Sequence, residues 1–116
     1  MYCKAEEKCV EEHDSVIAFT SQLAHVVSSS YVKSPSLLKQ AGFSAGSFKD
    51  LTRVAKLNED MWTELFLMNR GPLVDEIEHI IARLTEYRDA IANNDAQRLH
   101  DLLKEGRELK ELSNNS

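Results

Sequence analysis

The sequence predicts an all-α protein, a bundle of about five to six helices with a long N-terminal helix and a C-terminal helical hairpin. The 116 residues include only two prolines and four glycines, which leaves little turn chemistry for a many-stranded β fold. Apolar residues instead recur at three-and-four spacing over long stretches, and no stretch alternates in the way typical of strands. The length predicts a single domain that covers residues 1–116.

The N-terminal third is predicted to contain one long helix and one short helix. Residues 5–32 carry apolar side chains at helical spacing, and four glutamates near the start favour the helix dipole. Ser34-Pro35 marks a break, because the residue before a proline avoids helical geometry. A short helix is expected over residues 36–40, ending before Gly42.

Two capping residues organise the middle of the chain. Ser47 is predicted to cap a helix over residues 48–57, and Asn58 is predicted to cap the next helix. Gly71-Pro72 is expected to end that next helix, and Pro72 suits the first turn of the helix that follows.

The C-terminal part is predicted to be an antiparallel hairpin of two helices. Residues 72–92 form the clearest amphipathic pattern, and a tight turn at 93–95 leads into a helix over 95–112, with a frayed tail at 113–116. The apolar faces of these helices look larger than one small core can cover. We therefore expect a homodimer.

Charge and glycine spacing exclude several classes of function. The net charge of −5 argues against a nucleic-acid partner, and no apolar run reaches the roughly 18 residues of a membrane span. The acidic start lacks the apolar core of a signal peptide, so a cytoplasmic chain is expected. The glycines, Gly42, Gly46, Gly71 and Gly106, fit neither a dinucleotide-binding fingerprint nor a P-loop.

A metal site is not predicted. Cys3, Cys9 and His13 form the one cluster of metal-ligating residue types near an end of the chain. A structural zinc site needs four ligands, and this cluster offers three. His79 and His100 lie among charged neighbours and are predicted to be surface residues.

One polar cluster interrupts the apolar face of the first helix. Ser21 and Gln22 precede His25 by four and three positions, which places the three side chains together. The neighbouring Leu23, Val26 and Val27 predict that the cluster is half-buried. A core histidine satisfied by a backbone carbonyl is the alternative interpretation of His25.

A basic side of the helix predicted over residues 48–57 is the candidate anion site. Lys49, Arg53 and Lys56 follow three-and-four spacing after a Gly-Ser turn, and the arginine fork matches a carboxylate. An ordinary solvated face, with Arg53 paired to Asp50 or Glu59, is the alternative.

Trp62, the single tryptophan, admits two interpretations. Packing in the core is one, and a place in an interface or pocket wall is the other, since tryptophan is enriched at both.

Taken in order, several short motifs resemble the C-terminal helical dimerisation domain of prephenate dehydrogenase. The family pattern is H-D, S-H-L-P-H, G-G-F-[KR]-D-x-T-R, M-W and N. The likeness extends over residues 13–112, and the matching motifs here are His13-Asp14, Ser21-Gln22-Leu23-Ala24-His25, Gly46-Ser47-Phe48-Lys49-Asp50-Leu51-Thr52-Arg53, Met61-Trp62 and Asn69.

The resemblance implies a role in tyrosine biosynthesis. In this family an N-terminal Rossmann domain binds NAD and carries the principal catalytic histidine, so no catalytic residue is expected in this chain, and the isolated chain is expected to be inactive. The helical domain dimerises and closes the prephenate pocket. The reaction is an oxidative decarboxylation to 4-hydroxyphenylpyruvate, and the expected small-molecule ligands are prephenate, 4-hydroxyphenylpyruvate or tyrosine.

The resemblance also assigns roles to single residues. His25 corresponds to a substrate-pocket histidine, with Ser21 and Gln22 in the same motif, and Arg53 corresponds to the arginine that binds a prephenate carboxylate. The turn that borders the pocket contains Gly46 and Phe48. Asp50 and Trp62 correspond to positions at the pocket entrance that face the partner subunit.

Three positions depart from the family pattern, and three alternatives stay open. Gln22 replaces the first histidine and cannot titrate, Ala24 replaces a proline, and Ser47 replaces a glycine. Arogenate as the substrate and NADP as the cofactor are open, as is a stand-alone helical interaction module without catalysis.

Overall fold

The computed structural model describes residues 6–39 and 45–114; for residues 6–10 only the backbone is described. Within these ranges every regular element is helical, which confirms the all-α prediction. The chain divides into two compact units, residues 1–77 and 78–116. The elements are α1 (Glu6–Ile17), a π-helix (Ala18–Leu23), α2 (Ala24–Tyr31), a 3₁₀ turn (Leu37–Lys39), α3 (Gly46–Thr52), α4 (Glu59–Met68), α5 (Arg70–Ala92) and α6 (Ala96–Asn114).

The long N-terminal helix is confirmed as a continuous helical segment from Glu6 to Tyr31, but it changes type in the middle. Residues Ala18–Leu23 form a π-helix between α1 and α2. Ala18 and Leu23 at its two ends are buried and belong to the core of the first unit. Short π segments frequently mark functional sites, and this one ends two residues before His25.

The helix predicted over residues 48–57 is wrong at both ends. The helix α3 begins at Gly46, and its N-cap is Ala45, whose side chain makes no cap hydrogen bond, so Ser47 is not the cap. The helix stops at Thr52 because a tighter turn follows, in which the Ala55 N–H donates to the Thr52 carbonyl at 3.0 Å.

The short helix predicted over residues 36–40 is a single 3₁₀ turn at Leu37–Lys39. A serine turn precedes it, since the Ser36 N–H donates to Ser34 Oγ at 3.1 Å. The predicted stop at Gly42 lies outside the described residues.

The cap at Asn58 is confirmed, because Asn58 Oδ1 accepts from the Met61 N–H at 3.0 Å. The predicted end of α4 at Gly71-Pro72 is wrong. The helix ends at Met68 with Asn69 as its C-cap, and α5 begins at Arg70, so Pro72 lies in the first turn of α5 as predicted. Proline is tolerated at this third position of α5 because the backbone N–H that it lacks would have no helical partner in the first turn.

The second unit is the predicted antiparallel hairpin. Asn94 adopts a left-handed φ of 52° in the connecting turn, a conformation that asparagine tolerates better than most residues. Asp95 Oδ1 then accepts from the Arg98 N–H at 3.0 Å and caps α6. This helix runs to Asn114, beyond the predicted end at 112, so the fraying predicted at 113 and 114 is wrong; residues 115–116 lie outside the description.

A small core and hydrogen bonds between α5 and α6, among them the one from Arg98 Nη2 to Glu86 Oε2 at 3.1 Å, join the two arms of the hairpin. Within residues 78–114 the buried residues are Ala90 on α5 and Leu102 on α6. Tyr87 Oη donates to the Leu102 carbonyl at 3.2 Å. The pairing of early α6 with late α5 is that of an antiparallel helical pair.

Candidate functional site

His25 is half-buried on α2, as predicted, and uses one ring nitrogen inside the protein. Its Nδ1 lies 2.8 Å from the carbonyl oxygen of Ser21. Because a carbonyl can only accept, this contact assigns a proton to Nδ1 and, in the neutral ring, leaves Nε2 as an acceptor. Among the described residues Nε2 has no hydrogen-bond partner.

Trp62 on α4 stacks on this imidazole. The centroids of the two rings lie 4.1 Å apart with an interplanar angle of 25°. On its own helix, the Trp62 ring is tilted against the Phe66 ring, with the centroids 5.5 Å apart. The indole is half-buried, so it forms a wall beside His25. The spacing rules used for a single helix could not find this contact, because the two rings lie on different helices.

Behind the stack, Gln22 and Asn69 form a pair of hydrogen-bonded amides. Gln22 is 5% exposed, and its Oε1 accepts from Asn69 Nδ2 at 2.7 Å. The other end of the amide, Nε2, donates to the Leu65 carbonyl at 3.3 Å. Asn69 Nδ2 also donates to the Asp14 carbonyl at 2.9 Å. Both groups of the Gln22 amide are thus used within the protein.

The sequence motif contained Asn69 but gave no reason for it. The structure supplies one, since this side chain holds the end of α4 against the N-terminal helical segment. A usable signal was present. A glutamine predicted on a half-buried helix face needs hydrogen-bond partners, and a nearby amide is a suitable one.

The three basic residues do not share one helix. Lys49 lies in α3 and Arg53 is its C-cap, whereas Lys56 lies in the following loop. The prediction that all three lie on one helix face is therefore wrong for Lys56, because α3 ends at Thr52. Arg53 is exposed, and within residues 6–39 and 45–114 it forms no ion pair, so the alternative pairing with Asp50 or Glu59 is absent there.

Phe48 on α3 borders a separate small cavity. Its ring centroid lies 6.2 Å from that of Tyr31, and the two rings share with Ser34, Ser36 and Leu37 a cavity of about 240 Å³. This volume is slightly below the usual range for ligand pockets. Gly46 is exposed at the start of α3, with open space where a Cβ would lie, and Asp50 is exposed on the same helix.

Comparison with known proteins decides the family. Residues 9–105 match the family model described as "Prephenate dehydrogenase, dimerization domain". The chain belongs to this family. It is 35% identical over 106 residues to a cyclohexadienyl dehydrogenase from Zymomonas mobilis, covering 86% of this chain and 36% of that protein. It is also 29% identical over 112 residues to a prephenate dehydrogenase from Bacillus subtilis, covering 90% and 30%.

A solved structure shows the same fold. The chain matches the crystal structure of Synechocystis arogenate dehydrogenase with a TM-score of 0.77 at 21% sequence identity, covering 88% of this chain and 39% of that one. The chain spans roughly a third of the length of the curated dehydrogenases that it matches.

In this prephenate dehydrogenase dimerization domain, the predicted site residues fall into separate groups. One group surrounds His25. Its ring bonds to the Ser21 carbonyl and stacks on Trp62, and Gln22 lies one turn before it on the same helical segment. Phe48, Gly46, Asp50 and Arg53 lie on or next to α3, which packs against α2. No hydrogen bond, ion pair or ring contact joins His25 to Arg53 within the described ranges.

The remaining candidates are surface residues or lie outside the description. His79 and His100 are exposed, as predicted, and His13 is an exposed neighbour of Asp14. The described part of the chain contains no group of three metal-ligating side chains, but Cys3 and the side chain of Cys9 are not among the described groups. None of the described helices is long and apolar enough to cross a membrane.

Proposed function

We propose that this chain is the part of an NAD-dependent prephenate dehydrogenase that forms the dimer and closes the substrate pocket. In this proposal the NAD-binding Rossmann domain and the principal catalytic histidine belong to polypeptide outside these 116 residues. The positions of Gly42, Gly46, Gly71 and Gly106 do not fit a dinucleotide cradle, which supports assigning the cofactor elsewhere. The chain would act in the cytoplasm.

The observation that carries the proposal is the stack of His25 on Trp62. The Ser21 carbonyl holds Nδ1, the indole holds the ring plane, and Nε2 is the polar edge that remains for a ligand. A histidine so oriented suits hydrogen bonding to a polar group on a small cyclic substrate, and the adjacent indole excludes water from that contact.

Arg53 supplies the second element of the proposal. Prephenate carries two carboxylates, and a guanidinium binds a carboxylate through two parallel hydrogen bonds. Because Arg53 has no ion pair among the described residues, no such pair has to be broken before it binds an anion. Gln22 already uses one donor and one acceptor inside the protein and is only 5% exposed, which leaves little of its amide for the predicted contact with substrate.

In the proposed reaction NAD supplies the hydride acceptor. The C4–H would leave as hydride while the C4 hydroxyl loses its proton and becomes a carbonyl. Loss of the ring carboxylate as CO2 would then pass its bonding electrons through the ring to this oxygen, which takes a proton back, and the aromatic product is 4-hydroxyphenylpyruvate. The task of this chain is to orient the substrate. Arg53 holds a carboxylate, and His25 with Trp62 forms one wall.

Arg53→Ala in the dehydrogenase that contains this chain tests the substrate assignment. A charge-assisted hydrogen bond contributes about 1.5–3 kcal/mol, so we expect the KM for prephenate to rise about 10- to 100-fold. Arg88→Ala is the matched control, because Arg88 is an exposed arginine that pairs with the adjacent Asp89. Wild-type KM and kcat in Arg53→Ala would overturn the assignment.

Arogenate is the second candidate substrate, favoured by the fold likeness to the Synechocystis enzyme. The two substrates differ by a keto group against an amino group on the side chain. Measuring kcat/KM for both, with NAD and with NADP, decides between them. A preference for arogenate would replace the substrate and leave the site assignment in place, and tyrosine added to the same assays would report feedback inhibition.

The homodimer is proposed on the exposed apolar surface of the hairpin. Six large apolar side chains among the described residues of this unit are each more than half exposed: Ile81, Leu84, Ile91, Leu103, Leu109 and Leu112. Leu84 and Ile91 lie two turns apart, on one side of α5. An apolar surface of this extent is typical of an interface, and the family description names dimerization.

Sedimentation velocity on the chain tests the dimer. We expect a dimeric mass at micromolar concentration and a monomeric mass for Leu84→Glu combined with Ile91→Glu. Leu38→Glu is the control, because Leu38 is an exposed leucine outside the hairpin. A monomeric mass for the unaltered chain contradicts the proposal.

A stand-alone interaction module without catalysis is the other class of function. The reading frame upstream of Met1 distinguishes the two classes. A fused dinucleotide-binding domain supports the dehydrogenase, and a native start codon at Met1 supports the module.

A further inference from the structure

We propose that the Gln22–Asn69 amide pair is a positioning device that sets the stack of Trp62 on His25. The inference rests on the proposed function, since the stack is its candidate substrate wall. Gln22 lies three positions before His25 on the N-terminal helical segment. Asn69 follows Trp62 at the other end of α4. The pair therefore joins the two segments that carry the stacked rings.

The hydrogen bonds of the pair reach one backbone carbonyl on each of the two segments. Leu65 lies in the last turn of α4, where backbone carbonyls lose their regular partners, and Asp14 lies in the last turn of α1, just before the π-helix. Gln22 Nε2 donates to the Leu65 carbonyl, and Asn69 Nδ2 donates to the Asp14 carbonyl. The bond between the amides then connects the end of α4 to the N-terminal helical segment.

Burial makes this connection specific. A hydrogen bond that is lost from a buried amide leaves a donor or acceptor without water to replace its partner. Gln22 is nearly fully buried, so sliding α4 along the N-terminal segment would break several hydrogen bonds together. Trp62 lies one turn before Leu65, and this register places its ring over His25.

The single tryptophan gives a direct readout of the stack. An imidazole in contact with an indole quenches its fluorescence, so His25→Ala should raise Trp62 emission in the otherwise unaltered chain. If the amide pair positions the stack, Gln22→Met should raise the emission by itself. The further increase on adding His25→Ala should then be lost.

Gln97→Met provides the matched control. Gln97 is an exposed glutamine whose side chain bonds to Asp101 one turn away. The full emission increase on adding His25→Ala should persist in this background. The same increase in the Gln22→Met background as in the unaltered chain would overturn the proposal.

Asn69→Ala keeps the test decisive if Gln22→Met loses its helical circular dichroism. This variant removes the bonds to Gln22 and Asp14 but leaves the bond from Gln22 to Leu65 available. Loss of the His25-dependent emission change in Asn69→Ala supports the positioning role, and an unchanged response contradicts it.

The fluorescence test separates this inference from the proposed function, because it needs no substrate. In the dehydrogenase, Gln22→Met should raise the KM for prephenate several-fold with little change in kcat, whereas Gln97→Met should change neither. A positive fluorescence result with an unaltered KM would retain the positioning role and remove the stack from the substrate site.

Discussion

In the unit formed by residues 1–77, the long-range hydrogen bonds involve buried or half-buried side chains. Gln22 and Asn69 connect segments that are far apart in the sequence. In the unit formed by residues 78–116, several polar contacts are exposed and close in sequence, such as Gln97 with Asp101 and Arg107 with Glu111. Buried polar contacts select one geometry, whereas exposed ion pairs contribute little to stability.

The two units therefore differ in the kind of group that they bury and expose. In the first unit the buried Gln22 lies one turn before His25, beside the candidate substrate wall. The second unit buries Ala90 and Leu102 and leaves other leucines and isoleucines exposed, as expected of a surface for association.

The largest effect is expected from shortening the core leucine of the hairpin. Leu102 is 5% exposed, and Leu102→Ala should lower the free energy of unfolding by about 2–4 kcal/mol, because it leaves a cavity. Urea unfolding followed by circular dichroism measures the loss. The exposed Leu103→Ala is the neighbouring control and should cost much less. Equal losses for the two variants would show that Leu102 is not the core of this unit.

The buried hydroxyl of Ser28 in the first unit is predicted to lower the free energy of unfolding. Its buried hydroxyl has no hydrogen-bond partner among the described residues. Ser28→Ala should therefore raise the free energy of unfolding by about 1–2 kcal/mol, since it removes a desolvated hydroxyl and favours the helix. Thermal unfolding against the exposed Ser30→Ala measures this gain. A loss of stability would show that the hydroxyl has a partner in solution.

Gly106 in α6 is predicted to weaken the hairpin. A Cβ there would lie 3.7 Å from Tyr87 Oη, an ordinary contact, and a glycine inside a helix costs about 1 kcal/mol relative to alanine. Gly106→Ala should raise the melting temperature by a few degrees. A lowered melting temperature would indicate that close approach at Tyr87, with its bond to Leu102, requires the glycine.

The smallest effect is expected at the ion-pair cluster of the hairpin. Glu86 accepts from Arg83 at 2.9 Å and from Arg98 at 3.1 Å. Glu86→Gln should cost less than about 1 kcal/mol, and the cost should shrink as salt is added. Glu108→Gln, which removes a longer pair with Lys104, is the control. A loss above about 2 kcal/mol that is independent of salt would remove the contrast between the units.

Local chemistry in the sequence was sufficient to predict much of the fold. The cap at Asn58, the first-turn Pro72 and the hairpin are set by residues within one or two helical turns of each other. Errors occurred where non-helical turns compete with a helical pattern, as at the end of α3, where the Thr52 carbonyl accepts from Ala55. The π-helix at Ala18–Leu23 had no local signal.

Periodicity and capping are local properties of the sequence. They were therefore enough to predict the helical class, the hairpin and the half-buried polar face that contains His25. The ordered motifs also indicated the family that the comparison then showed. Three features were visible only in the folded structure: Trp62 stacks on His25, Gln22 bonds to Asn69, and Lys56 lies in the loop after α3 instead of on the helix with Lys49. The first two are contacts between separate helices. Their geometry depends on how the helices pack, which spacing along one helix does not encode.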